Sequence, residues 1–193
     1  KGALTGAIAC SNSGGFFGAE LKNAGWDMII FTGRAASPVY LLIENEEARL
    51  VDATELWGMS VWETEPKIRA AHQNPDLRIA SIGKAGENLV RYACVVNDLD
   101  RAAGRSGVGA VMGSKNLKAL VVHGSDRKVP VAEPEKIRKR SAELTADKTD
   151  DASFRMYSEL GTAGFVDMAS MMFGSLPAGY YGVSDFDSYN LSG

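Results

Sequence analysis

The stretch that most constrains this chain is Arg101-Ala102-Ala103-Gly104-Arg105-Ser106-Gly107-Val108-Gly109-Ala110-Val111-Met112-Gly113-Ser114-Lys115, set between the apolar residues 93–96 and 117–122. Glycines at this density leave little side-chain surface to bury, and they let the backbone take positive φ and approach a neighbour closely. The run therefore reads as a loop opening into a short helix, with core segments on both sides. Its two arginines stand four positions apart and offer planar forks of charged donors. We read the stretch as an anion cradle, with a tight, solvated turn as the alternative.

A second stretch is built like it. Ser13-Gly14-Gly15-Phe16-Phe17-Gly18-Ala19-Glu20-Leu21 runs on to Ile29-Ile30-Phe31-Thr32-Gly33. With a two-residue gap it aligns with Ser106-Gly107-Val108-Gly109-Ala110-Val111-Met112, which runs on to Leu120-Val121-Val122-His123-Gly124. An internal duplication would account for the match, since a glycine loop opening a helix is a reusable unit whose free N–H groups and dipole attract an anion. Two copies would suit two similar phosphates. Chance likeness between short strand–loop–helix units is the alternative.

Other nucleotide motifs drop out. Residues 107–113 imitate a dinucleotide fingerprint, but the preceding apolar stretch ends near Val96, too far back for a tight strand-to-helix turn. Lys115 follows Ser114 rather than Gly113, so the Gly-Lys-Ser/Thr order of a triphosphate-binding loop is absent. A formal net charge of −3 argues against a general nucleic-acid binder, because phosphate backbones reward a basic face. No apolar run reaches membrane-spanning length, and Lys1-Gly2-Ala3-Leu4 has neither an initiator methionine nor a signal-peptide pattern. The expectation is a cytoplasmic fragment with no membrane partner. Cys10 and Cys94 lack neighbouring ligand patterns and fit reduced core thiols better than a disulfide or a metal site; His72 and His123 are equally isolated. No catalytic side chain is evident.

Patterning predicts short strands at residues 7–10, 27–31 and 77–82, a return to the core over 89–96, and a helix over 17–24 closed by Gly25. Residues 38–44 and 49–52 read as a β-hairpin. Residues 55–58 read as a turn of helix with Trp57 packed inward, and a helix from Ser60 to about His72 carries a Ser60/Glu63 capping box despite Pro66. Asp98 and Asp100 precede the cradle, either orienting Arg101 and Arg105 or offsetting their charge. Beyond Gly124 the chain turns polar. Helices are predicted from Pro134 to about Ala146, over 153–159 and over 164–173, followed by an extended loop at 174–181. Met168, Met171 and Met172 have the spacing of helix core positions.

Three motifs in order resemble the aldehyde:ferredoxin oxidoreductase family of tungsten enzymes: residues 11–22, residues 82–90 with Gly83-Lys84-Ala85-Gly86-Glu87-Asn88 at their centre, and residues 101–119. The likeness is close over 1–125 and looser beyond. It implies an α+β fold, a two-sheet base domain with antiparallel strands and short helices over residues 1–129, followed by the beginning of an all-α domain over 130–193. It also implies a bis-pyranopterin tungsten cofactor on the base domain, with Asn12, Ser13, Gly14, Gly15, Arg101, Ala102, Gly104 and Arg105 as its binding residues. Asn12 and Ala102 would turn backbone carbonyls to a Mg2+ ion bridging the pterin phosphates. In such an enzyme an aldehyde is oxidised to a carboxylic acid, and the electrons leave through a [4Fe–4S] cluster to ferredoxin or an iron–sulfur subunit in a homo- or hetero-oligomer. The cluster ligands and catalytic side chains would lie outside this segment. The sequence departs from the family at Ser106, where glycine is usual, and at Lys84, where proline is usual. A tungsten-dependent benzoyl-CoA reductase, which resembles the same family, a non-enzymatic phosphate- or nucleotide-binding module, and a purely structural domain remain the other readings.

Overall fold

The computed structural model describes residues 2–125, 130–149, 151–171, 174, 176 and 182. The chain divides into two compact units, Lys1–Pro130 and Val131–Gly193.

The first unit is α+β and carries a six-stranded mixed sheet. β1 (Val39–Glu44) and β2 (Glu47–Asp52) form the expected antiparallel hairpin, with Glu44 opposite Glu47 and Asn45 in the left-handed region at φ 56; asparagine is among the few non-glycine residues that take this conformation readily. β3 (Arg78–Ser81), β4 (Val95–Asn97), β5 (Arg101–Ala103) and β6 (Leu117–His123) complete the order β2-β1-β6-β3-β4-β5. β1 and β6 run parallel, and every other neighbouring pair is antiparallel.

Alternation along β1 sends Tyr40 and Leu42 to one face, where they pack with Leu56, Leu77, Ile79, Ala119, Val121 and Ile68 of α2 (Val61–Ala71). Leu41 and Ile43 point the other way, to Ala24, Val122, Trp26, Ile29, Phe31 and the Phe17 and Leu21 side chains of α1 (Phe17–Asn23). Both faces are covered, so residues 39–43 of β1 and 119–122 of β6 appear in sequence as unbroken apolar runs. Each fully buried side chain such as Leu42 or Ile79 contributes about 1.5–3 kcal/mol by leaving water. α2 begins with the predicted capping box: Ser60 Oγ accepts from the Glu63 amide at 3.3 Å and Glu63 Oε2 accepts from the Ser60 amide at 2.8 Å. That bonding, with the Ser60 hydroxyl the largest contributor, holds the Glu63 carboxyl below its usual range.

The sheet corrects several expectations. Among the described residues there is one sheet where two were implied, because residues 7–10 and 27–31 join no ladder. Ile29 and Phe31 pack, partly buried, on the β1/β6 face instead, while Met28 and Ile30 are exposed. The return over 89–96 narrows to Val95–Asn97, since residues 84–94 are consumed by α3 (Lys84–Glu87) and turns, with Val90 N–H bonded to Ala85 O and Leu89 at φ 58. Lys84 is the first residue of α3, where a proline would equally fit. The turn of helix near Trp57 is a 3-10 turn at Thr54–Leu56, and it buries Leu56 while Trp57 is half-buried. Cys10 is exposed rather than a core thiol.

The second unit contains α5 (Pro134–Thr149), α6 (Ala152–Leu160), a 3-10 turn at Gly161–Phe165, and α7 (Val166–Met171). The label α4 belongs to Val108–Ser114 in the first unit. Proline opens α5, and Asp151 caps α6 by accepting from the Phe154 amide at 2.7 Å. The predicted helix over 164–173 begins as the 3-10 turn. The packing assigned to Met168, Met171 and Met172, and most of the extended loop at 174–181, lie outside the described residues. No helix among the described residues is long and apolar enough to cross a membrane.

Candidate functional site

The site is founded on a hairpin hidden inside the glycine-rich stretch. β4 and β5 pair through Val95–Ala103, Val96–Ala102 and Asn97–Arg101. Their turn, Asp98-Leu99-Asp100, closes with Asp100 N–H bonded to Asp98 O at 2.7 Å, and places Asp98 and Leu99 at φ 50 and 61. Arg101 is therefore the first residue past a tight turn, and Arg101, Ala102, Gly104 and Arg105 are all exposed.

The early loop is pinned onto this hairpin. Ser13 Oγ donates to Asn97 Oδ1 at 2.5 Å, Gly14 O accepts from Asn97 Nδ2 at 2.9 Å, and the Phe16 amide donates to Asp98 Oδ2 at 2.6 Å. Ser11 Oγ accepts from the Arg105 amide at 3.0 Å. Two stretches about ninety residues apart in sequence are thus side by side, and Asn12 lies between two serines that both bond to the later stretch. The structure brings Ser13, Gly14 and Gly15 to Arg101: a Cβ on Gly15 would lie 3.1 Å from Arg101 Cγ, and one on Gly14 would lie 4.0 Å from Arg101 Cδ. Asn12, Ser13, Gly14 and Gly15 are exposed.

The glycines of the later stretch divide into two kinds. A Cβ on Gly104 would meet nothing within 4 Å, whereas one on Gly107, Gly109 or Gly113 would lie 2.0, 2.3 or 2.0 Å from the carbonyl oxygens of Arg91, Cys94 and Gly86. The open part of the stretch is therefore residues 101–105. Residues 107–113 open and form α4, whose glycines allow it to lie against the 86–94 backbone. At each of the two helix starts one amide is already engaged. The Phe16 amide at the start of α1 is already taken by Asp98, and the Gly109 amide of α4 donates to Ala93 O at 2.9 Å. The duplication loses its strand half too, since residues 27–31 are not a strand while their counterpart is β6. What brings the two loops together is hydrogen bonding between them.

The arginines carry the electrostatics. Among the described residues neither the Arg101 nor the Arg105 guanidinium has a hydrogen-bonding or ion-pair partner. Asp98 does not orient them, because it holds the Phe16 amide and faces Arg78, whose Nη1 lies 3.9 Å from Asp98 Oδ1. Behind the turn, the almost fully buried Glu65 carboxyl is pushed above its usual range by desolvation, against the lowering influence of Arg69 at 2.6 Å. The Gly83–Asn88 motif turns its acid away from the cradle. Glu87 accepts from Lys118 Nζ at 2.5 Å and from the Gly58 amide at 2.8 Å, and Lys118 also donates to Met59 O at 2.8 Å. Lys118 is completely buried, and desolvation lowers its pKa while Glu87 opposes the shift. This pair braces β6 against α3.

His72 Nε2 is 2.7 Å from the Tyr40 hydroxyl, and His123 Nδ1 is 3.4 Å from Glu20 Oε1. No group of three or more His, Cys, Asp or Glu side chains among the described residues could hold a metal. The residues that sequence reasoning missed are Asn97 and Asp98 as holders of the early loop. Their only signal was an Asn-Asp pair at the head of the basic run.

The profile of the aldehyde ferredoxin oxidoreductase N-terminal domain matches residues 1–124. Over 172 residues the chain is 48% identical to a tungsten-containing aldehyde ferredoxin oxidoreductase of Pyrococcus furiosus and 51% identical to one of Pyrococcus abyssi, covering 87% of this chain in each case. It spans 28% of the length of these relatives. Among solved structures, the active-site complex BamBC of benzoyl coenzyme A reductase, bound to 1,5-dienoyl-CoA, matches with a TM-score of 0.70 and 39% identity, over 78% of this chain and 22% of that one.

Proposed function

Because the chain belongs to the aldehyde ferredoxin oxidoreductase family, we propose that its first unit grips the phosphate ends of a tungsten bis-pyranopterin cofactor in a longer oxidoreductase. The observation that supports this best is the exposed pair Arg101 and Arg105, whose guanidinium groups have no partner among the described residues, beside the pinned loop of Ser13, Gly14 and Gly15. Charged donors with no internal acceptor suit phosphate oxygens, and the open space over Gly104 leaves room for a ligand to approach the backbone. Asn12 and Ala102, both exposed, would offer backbone carbonyls to a Mg2+ ion bound with the phosphates; carbonyl oxygens are appropriate hard ligands for it.

In this reading the cofactor, when bound, would supply the redox chemistry by which an aldehyde and water give a carboxylic acid, two protons and two electrons, with ferredoxin as the class of acceptor for those electrons. The residues of this segment bind and orient. Arg101 and Arg105 hold anionic groups, and the hairpin fixes their separation. The benzoyl coenzyme A reductase likeness favours a second reading in which the same cradle serves reduction of an aromatic thioester. Assays of the full-length protein with aldehydes and with benzoyl-CoA separate the two.

The cradle itself is tested by Arg105→Ala in the full-length protein. A hydrogen bond to a charged group contributes about 1.5–3 kcal/mol, so tungsten retention weakens by about tenfold or more, read as metal per polypeptide by elemental analysis. Wild-type tungsten content in the purified variant would refute the cradle.

A further inference from the structure

We propose that Asn97 and Asp98 are positioning residues that hold the 13–16 loop in the one shape in which it and Arg101 face the same ligand, an inference that rests on the anion-site reading above. Asn97 is only 4% exposed, yet its side chain does nothing for its own strand, whose pairing is made by backbone. Its amide spans two successive loop residues, accepting from the Ser13 hydroxyl and donating to the Gly14 carbonyl, and it reaches Asp98 Oδ2 at 3.1 Å. Asp98 then takes the next available amide, that of Phe16. Two adjacent side chains thereby fix three points along four residues of a distant loop.

The loop is fitted to this grip from its own side. Gly15 sits at φ 92, and a Cβ there would lie 2.3 Å from Asp98 Oδ2 and 2.7 Å from Asn97 Nδ2. A side chain is excluded by both conformation and space. Arg78 closes the arrangement, with its guanidinium carbon 5.0 Å from the centre of the Phe16 ring and Nη1 facing Asp98. Arg101 stands directly opposite Asn97 in the hairpin register. One residue pair therefore sets the loop and the arginine in a common frame, so less ordering remains to be done when an anion binds.

The test uses the full-length protein with Asn97→Ala, Asp98→Ala, Asp98→Asn and Arg105→Ala, reading tungsten per polypeptide and amide hydrogen exchange on cofactor-free samples. Outer-shell partners of a bound group typically change its retention by about 10–100-fold, so Asn97→Ala is expected to lower tungsten retention about tenfold. Exchange at Phe16, an amide Asn97 does not touch, should quicken, while β6 amides keep wild-type protection. Asp98→Asn, which retains an oxygen for the Phe16 amide, should hold the cofactor better than Asp98→Ala. If Arg105→Ala loses tungsten but Asn97→Ala keeps it, the positioning role is overturned and the anion site stands. If both keep it, both ideas fall. If β6 exchange rises as much as Phe16 exchange, the pair serves the whole fold and the positioning role is likewise overturned.

Discussion

The two ends of the glycine-rich stretch share a composition and do opposite work. At the early end, Gly104 faces open space and the arginines have no partner among the described residues; at the late end, Gly107, Gly109 and Gly113 let one backbone lie on another. The early end is anchored by polar side chains, namely Asn97, Asp98, Arg78 and the buried Glu65 behind them. The late end is anchored by backbone contacts that only a missing Cβ permits. A glycine in such a run is therefore evidence of proximity to something, and only the structure says whether that something is a ligand or another strand of chain.

The contrast is broken severely at Gly113. A Cβ there would lie 2.0 Å from Gly86 O, a backbone atom that cannot swing aside. Alanine in a helix is otherwise favoured over glycine by roughly 0.5–1 kcal/mol, but overpacking of this kind costs up to about 3 kcal/mol, so the clash wins. Gly113→Ala should lower the thermal unfolding temperature of the full-length protein markedly. Gly104→Ala, with no heavy atom within 4 Å, should leave unfolding within about 0.5 kcal/mol of wild type, as for surface changes away from special features, and instead lower tungsten content. Equal destabilisation by the two would erase the distinction.

A smaller effect separates the ends by pH. Burial raises the Glu65 pKa above its unfolded value, which Arg69 opposes and Asp98 reinforces, while the Leu99 amide and Arg78 act weakly in the lowering direction. The native state thus prefers the protonated form. Its contribution to stability is fully present below the model-peptide value of 4.5 and is lost as pH rises through the raised folded pKa. Glu65→Gln, permanently neutral, should remove this slope. Hydrogen exchange at the Asp98–Asp100 turn should then lose pH dependence beyond the intrinsic amide rate, while α4 exchange stays as in wild type. A matching change in α4 would show that the two ends are not independent.

These contrasts also mark what the sequence could reveal. The hairpin of β1 and β2, the capping box at Ser60 and the proximity of Ser13–Gly15 to Arg101 were legible, because alternation, a three-residue cap spacing and family motifs are local or carried intact. The β4–β5 hairpin was not, since Arg101-Ala102-Ala103 has no strand-like alternation and is paired only because the Asp98-Leu99-Asp100 turn accepts two left-handed residues. Residues 27–31 misled in the other direction. Their alternate residues Ile29 and Phe31 pack against β1 and β6 without a ladder, while Met28 and Ile30 are exposed. The role of Asn97 depends on residues 83 and 84 positions earlier, a separation no local pattern encodes.

The mildest expected effect lies at the junction of the two ends. Ser106 is at φ 65, immediately before Gly107 at φ 70, so two successive residues are left-handed where the cradle passes into α4. An L-residue in this region costs roughly 1–2 kcal/mol. Glycine removes that strain but gives back about 0.5–1 kcal/mol through the greater freedom of its unfolded chain. The difference predicts that Ser106→Gly stabilises the protein by about 0.5 kcal/mol, read as a small rise in unfolding temperature. Tungsten content should not change, because Ser106 adjoins the cradle without supplying either guanidinium. A loss of cofactor in this variant would mean that the serine hydroxyl takes part in the site, and that the boundary between the ligand-facing and packing halves lies beyond Ser106 rather than at Arg105.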